Sequence, residues 1–431
     1  MTIPLTDLLE RLAHGETTSA TLVREAHERA VDPHGEGARV FTRLYTERAI
    51  REAEEWDAKR RAGAPLPPLA GLPISIKDLF DVAGETTLAG SKVLAAHAPA
   101  TLDAEVVARL RRAGAVIIGK TNMTEFAFSG LGLNPHFGTP LNPWDRATRR
   151  IPGGSSSGAA VSVTDGMAAA GIGTDTGGSV RIPAALCGLT GFKPTARRVP
   201  LDGAVPLSTS LDSIGPLAPT VACCALLDAV LAGETPRPLE PMDARGLRLG
   251  LPQRYVLEDM DPTVAHTFER AVRRLADAGV QITEIAFAEL DELPSINAKG
   301  GFAAAEAWAW HRDLIERAGD QYDPRVAARI RRGSLVTESE VAALHRKRAD
   351  FQERALAVAA PFDALALPTV PIVAPQLAPL ESDDTEFARV NILVLRNPTV
   401  GNFLDWCGLS LPCHAPGAAP VGLMLLARGG A

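Results

Sequence analysis

Lysine is scarce in this chain: seven of its 44 basic residues are lysine and the rest arginine. Lys77 closes the strand-like run Leu72-Pro-Ile-Ser-Ile, where with Ser75 it faces opposite to Ile74 and Ile76. A lysine at the end of a buried strand can do what an arginine cannot, which is to lose its proton. Two segments rich in glycine and hydroxyls lie further along. In Gly153-Gly-Ser155-Ser156-Ser157-Gly158, small residues let backbone and hydroxyls approach closely before a helix expected from about Ala159. In Gly173-Thr-Asp175-Thr176-Gly177-Gly178-Ser179-Val-Arg181-Ile-Pro183, successive N–H groups in a glycine turn ahead of a helix form a nest for an anion. The chemistry open to these residue types is proton transfer at the lysine and stabilisation of negative charge at the turn.

Two other motifs compete for attention. Gly114-Ala-Val-Ile-Ile-Gly119-Lys120-Thr121 matches the phosphate-loop pattern letter for letter. A phosphate loop follows its strand and offers N–H groups from a pliant turn, whereas these four intervening residues are themselves an apolar strand, so no nucleotide site is expected. Gly154-Ser-Ser156-Ser-Gly158 satisfies the G-x-S-x-G elbow, which needs a buried strand before it and an acid and a histidine downstream. Arg149-Arg-Ile-Pro-Gly is a poor core strand, and nothing singles out His266, His311, His345 or His414. An esterase of the α/β-hydrolase type acting through Ser156 is the alternative mechanism.

The elements that must position these residues follow from pattern. Residues 4–62 read as helices, with Asp7-Leu-Leu-Glu-Arg-Leu at helical spacing and Thr17-Thr-Ser-Ala as a cap-like opening to the next helix. After the proline-rich break Ala64 to Pro68, strands at Leu72 to Ile76 and Ala115 to Ile118 alternate with a helix over Ala104 to Ala113, which argues for an α/β domain. Between Gly130 and Gly215 the glycine, serine and proline content predicts loops, here carrying the chemistry. Residues 221–360 read as mostly helical, a cap or substrate-shaping layer, and strands return at Ala364 to Thr369 and Val421 to Leu426. The chain is thus expected to be one domain over 1–431, with N-terminal helices in 1–63, a catalytic core in 64–220, the helical region in 221–360 and a return to the core sheet in 361–431.

Composition narrows the class. A chain of 431 residues, 46% of them hydrophobic, can bury a large core. A net charge of -7 leaves no basic surplus for phosphates, so nucleic acid is not an expected partner and a small molecule is. The N-terminus lacks the pattern of a secretory signal, and no apolar run approaches the ~20 residues of a membrane span. Cys187, Cys223, Cys224, Cys407 and Cys413 are too scattered for a disulfide framework and an odd number, which suits a cytoplasmic setting. Cys413-His414 has no second ligand pair at zinc spacing, and neither a metal nor a cofactor is expected.

Together the three segments resemble the amidase-signature enzymes, whose hallmark is a strand lysine, a Gly-Gly-Ser-Ser stretch and then Gly-Thr-Asp-x-Gly-Gly-Ser-x-Arg. The separation of Ser155 and Ser179, 179 - 155 = 24, fits that pattern. The likeness runs over residues 71–220, including Gly119-Lys-Thr-Asn-Met-Thr-Glu125, Asn142-Pro-Trp144 and Gly191-Phe-Lys-Pro-Thr195, and returns more weakly from Ala364 to Ala427. It implies a mixed, twisted β-sheet covered by α-helices on both faces. It also implies a Ser–cis-Ser–Lys triad of Ser179 as nucleophile, Ser155 as proton bridge behind a cis peptide after Gly154, and Lys77 as base.

On this resemblance Thr176, Gly177, Gly178 and Ser179 offer the oxyanion its N–H groups, and Asp175 and Arg181 pair to shape the turn. An ordinary lysine pKa of ~10.4 leaves about 0.1% neutral near pH 7.5, so Lys77 must be buried to act as a base. The substrate pocket is expected at Ala127, Phe128, the loop of Leu141 and the stretch around Thr399. These are small or apolar with no arginine clamp for a carboxylate, which favours a hydrophobic or aryl amide, or a carbamate (urethane). A transamidating subunit of a tRNA-dependent amidotransferase is the alternative from another class. The protein is expected to be a monomer or homodimer. Relatives usually continue beyond the Pro420-Val-Gly-Leu-Met-Leu-Leu strand into a closing helix, and an end at Ala431 implies a more open edge or one covered by another subunit.

Overall fold

The computed structural model describes residues 2–430. Eleven strands form one mixed sheet: β1 (Phe41–Leu44), β2 (Pro73–Lys77), β3 (Val116–Thr121), β4 (Ala170–Asp175), β5 (Thr190–Lys193), β6 (Ser213–Ala218), β7 (Arg248–Pro252), β8 (Gln281–Ile285), β9 (Ala364–Pro368), β10 (Cys407–Pro412) and β11 (Gly422–Ala427). Their spatial order is β1-β3-β2-β4-β6-β5-β10-β11-β9-β7-β8. β2 runs parallel to both β3 and β4. All of its residues are buried, as are those of β3 and β4, the condition of parallel strands covered on both faces. The chain is an α/β protein with helices flanking a large mixed sheet.

Periodicity located most of the frame. Helices occupy Leu5–Ala13, Ser19–Val31 and Thr46–Arg61, and Thr18 caps the second by accepting the amide of Thr21 at 3.0 Å. The helix Glu105–Arg112 carries the chain from β2 to β3. The phosphate-loop look-alike is β3 itself, with Lys120 buried 3.6 Å from Asp78.

Some strands departed from expectation. β1 interrupts the N-terminal helices as four residues antiparallel to β3. β7 and β8, inside the region read as helical, join the central sheet through β9, so 221–360 is part of the core as well as a helical layer. Each escapes notice for a physical reason: β8 is a terminal strand with every residue exposed or half-buried, and β7 is short and contains Gly250 and Pro252. The loop-like stretch before Gly215 likewise contains β4, β5 and the start of β6. Among the described residues no helix is long and apolar enough to cross a membrane.

Candidate active site

β2 and β4 end side by side, so the loops that leave their carboxyl ends share one crevice, the usual ligand position in an open α/β sheet. Ile76 pairs with Ile172, which brings Lys77 Nζ within 2.8 Å of Thr174 Oγ1. The alternation read from sequence holds. Ser75 meets Ser162 at 2.8 Å on the helix Ser157–Thr164, and Lys77, two residues on, reaches Ser155 Oγ at 2.7 Å just before that helix begins. The Gly154–Ser155 peptide is cis. Gly154 has no room for a side chain, because a Cβ there would stand 2.6 Å from the Gly132 amide nitrogen.

The lysine is wholly buried and forms its hydrogen bonds only with hydroxyls; among the described residues no carboxylate lies within ion-pair distance of it. Burial pushes its pKa down to about 7, against the opposing charges of Asp212 and Asp175. Lys77 can therefore give up its proton near neutral pH.

The second serine lies in the turn after β4. The Ser156 amide donates to the Ser179 carbonyl at 3.3 Å, joining the two glycine-rich loops. Asp175 organises the turn: its carboxylate accepts the amides of Gly178 at 2.8 Å, Val180 at 3.2 Å and Arg181 at 3.3 Å. The Arg181 side chain grips it with Nε at 3.0 Å and Nη2 at 2.9 Å. Burial works against ionisation there, but Arg181 holds the carboxyl well below the usual carboxylate range. The expected pairing of Asp175 with Arg181 is thus present. Gly178, at φ +123°, has a backbone conformation L residues rarely adopt, and a Cβ would approach Pro398 to 2.5 Å.

This geometry corrects one oxyanion assignment. The Gly178 N–H is already committed to Asp175, so it supports the turn, and Thr176, Gly177 and Ser179 are the expected donors left for an anion. Ser156 is also demoted. It precedes its helix without a strand leading into it, and its buried hydroxyl donates to the Thr174 carbonyl at 3.4 Å. Cys413 and His414 are engaged with the turn at Val421, the thiol donating to its carbonyl at 3.3 Å and the ring accepting its amide at 3.4 Å.

A cavity of about 290 Å³ adjoins the lysine's partner Thr174 and is walled by Thr176, Leu79, Ala127, Val205 and Asp212, among others. Of the expected pocket residues, Ala127 lines it. Phe128, Leu141 and Thr399 do not. Leu141 packs in a separate apolar cluster with its amide bonded to Glu36, and Thr399 donates to the Gly177 carbonyl at 3.4 Å, buttressing the turn.

The family model described as Amidase matches residues 25–431. The chain is 37% identical to the 2-amino-5-chloromuconic acid deaminase of Comamonas testosteroni, over 98% of this chain and 92% of that protein. It is 35% identical to a glutamyl-tRNA(Gln) amidotransferase subunit of Roseiflexus sp. (strain RS-1), over 99% of this chain and 93% of the relative. A crystal structure of an amidase superposes with a TM-score of 0.89 at 33% identity, over 99% of this chain and 96% of the other. The chain belongs to the amidase family. It is an amidase-family hydrolase of C–N bonds.

Several residues of the amidase site carry no local signal. Thr174 is a hydroxyl inside an apolar strand, found only through the register of β2 with β4. Asn402, on the helix Asp384–Leu404, donates to Asp175 Oδ1 at 2.9 Å and accepts from Arg181 at 2.7 Å, far from both in sequence. Asp212 stands just before β6, buried, and reaches the turn through Thr176.

Proposed function

We propose that the chain hydrolyses a small hydrophobic or aryl amide, or a carbamate, through an acyl-enzyme on Ser179. The observation that carries this reading is the buried Lys77, bonded only to hydroxyls, one of which, Thr174, lines a largely apolar cavity. Neutral Lys77 takes a proton through Ser155 as Ser179 Oγ attacks the carbonyl carbon. The amides of Thr176, Gly177 and Ser179 hold the oxyanion. Collapse breaks the C–N bond while the same relay returns the proton to the leaving nitrogen, and water then attacks the acyl-enzyme. Thr399 supports the turn through the Gly177 carbonyl.

The test is a panel of anilides, primary amides, aryl carbamates and esters on the wild type and Lys77→Ala, with neither partner protein nor ATP. Turnover of the amides or carbamates by the chain alone supports hydrolysis over a transamidating role, and absence of all turnover would overturn it. Lys77→Ala is expected to lose amides far more than esters, because an amine leaving group needs the returned proton and an activated ester does not. Because the lysine must be neutral, kcat/KM is expected to rise with pH through about 7, an acid limb that a pH series on the anilide would reveal.

A second reading has its own observation. Arg329 lies with its guanidinium 4.8 Å above the Phe128 ring, next in sequence to the cavity residue Ala127, and among the described residues it has neither a hydrogen-bond partner nor an ion-pair partner. Arg329 is half-buried, and burial with the nearby Arg332 pushes its pKa down to about 10. No local pattern around Arg329 signals such a clamp. With a relative named for a chloromuconic acid, this favours a substrate bearing a carboxylate beyond the scissile bond. Arg329→Gln is expected to raise KM at least tenfold for a carboxylated amide and to leave the uncharged analogue within about twofold. Equal effects on the two would refute the clamp.

A further inference from the structure

We propose that Asp212 is a positioning residue for the hydrolysis: its carboxylate fastens the head of the oxyanion turn to the wall of the substrate cavity and supplies the counter-charge when Lys77 carries the proton. The inference rests on the Lys77 relay proposed above.

Strand register puts the residue in place. In the antiparallel pair β4–β6, Asp175 stands opposite Ser213, so one step beyond the strand ends Thr176 comes opposite Asp212. Thr176 Oγ1 donates to Asp212 Oδ1, while Oδ2 accepts the amides of Leu207 at 3.0 Å and Ser208 at 3.1 Å. Thr176 is the first expected oxyanion donor, and Leu207, Asp212 and Thr176 all line the cavity. The wall loop is held from its other side by Glu306, on the helix Gly301–Ala318, which accepts the Ser210 amide at 3.1 Å and the hydroxyls of Ser208 and Ser210. A rigid chain of contacts therefore runs from the helical layer to the turn.

The carboxylate is the right group for this post because every neighbour that touches it donates. An asparagine could still accept the two amides only by turning its N–H toward Thr176, whose hydroxyl would then have to accept instead of donate, and it would carry no counter-charge. The charged groups around it are Lys77 on β2, Asp175 on β4, Asp202 on the cavity wall and Glu306 behind Ser208. Burial raises the Asp212 pKa to about 6, while Thr176, the two amides and Lys77 pull it down, so it is mainly ionised at the pH where the lysine titrates. The two groups titrate as a coupled pair. The ionised carboxylate favours protonated Lys77, and its removal leaves burial less opposed.

The experiment measures kcat, KM and the pH profile of kcat/KM for Asp212→Asn, Thr176→Val and Thr176→Ser. Asp212→Asn and Thr176→Val are expected to lower kcat about tenfold or more with a smaller change in KM, and Thr176→Ser, which keeps the hydroxyl, to retain most of the rate. Asp212→Asn is also expected to move the acid limb to lower pH, which a purely structural role would not do. If Asp212→Asn is too unstable to assay, Thr176→Val against Thr176→Ser still decides the anchoring. Rates within twofold for both variants, or an acid limb unmoved in a folded Asp212→Asn, would overturn the proposal while leaving the relay intact. If instead Lys77→Ala keeps wild-type amide turnover, the relay itself fails and this inference falls with it.

Discussion

Ser179→Ala is expected to cut amide turnover by about 10⁶-fold, the scale seen when the nucleophile of a cooperating catalytic set is removed. The variant should fold normally, because Ser179 contributes its carbonyl to the contact with the Ser156 amide and alanine preserves that carbonyl. Ser155→Ala is expected to fall nearly as far, since in the proposed relay Lys77 Nζ, 2.7 Å from Ser155 Oγ, acts through that hydroxyl, and the double variant should be little worse than either single one. Ser156→Ala is the control. Its hydroxyl makes only a long bond to the Thr174 carbonyl, 3.4 Å, so kcat should remain within a few fold. Loss of turnover in Ser156→Ala with retention in Ser179→Ala would restore the elbow mechanism. Mass spectrometry of quenched wild type should find the acyl group on Ser179.

The site was legible where its chemistry is compressed into short segments. Lys77, Ser155 and Ser179 each sit in a context that is odd for the residue type, and the alternation of β2 alone places Lys77 on the face away from Ile74 and Ile76, where Ser155 stands. The glycine turn was legible as a whole, but not which of its amides the turn itself uses. The Gly178 N–H turns to the Asp175 carboxylate, and the turn lies against Pro398, from a helix more than 200 residues later. Pocket walls were the least legible part. Ala127 lines the cavity, but the wall formed by Val205, Leu207 and Asp212 depends on how the loop before β6 is clamped by Glu306, a long-range contact with no sequence signature. For the same reason the edge strand β8, exposed on most of its length, reads like the polar surface of a helix.

Breaking the Asp175–Arg181 pair is expected to have the largest effect on stability. Both side chains are fully buried, their charge-assisted bonds are bidentate, and the remaining donors and acceptors are taken up by Asn402 and the turn amides. Arg181→Met should cost about 3–5 kcal/mol, since the carboxylate is then left buried without its cation. Urea unfolding would measure it. Arg181→Lys should recover little, because an ammonium cannot supply the two parallel N–H bonds.

The pH dependence of stability supplies an independent check with a definite sign. In the wild type the Asp175 pKa lies below its unfolded value, so this contribution is complete above about pH 4 and is lost as pH falls toward the depressed folded value. Without Arg181, burial is opposed by the Lys193 charge, Asn402 and the turn amides, the folded pKa rises, and acid sensitivity should set in at higher pH. Replacing both members, as in Asp175→Leu with Arg181→Met, would rescue a pair whose only role was mutual neutralisation. Here it should not, because the amides of Gly178, Val180 and Arg181 would lose their common acceptor in the interior. A double variant as stable as the wild type would show that the turn holds its shape without Asp175.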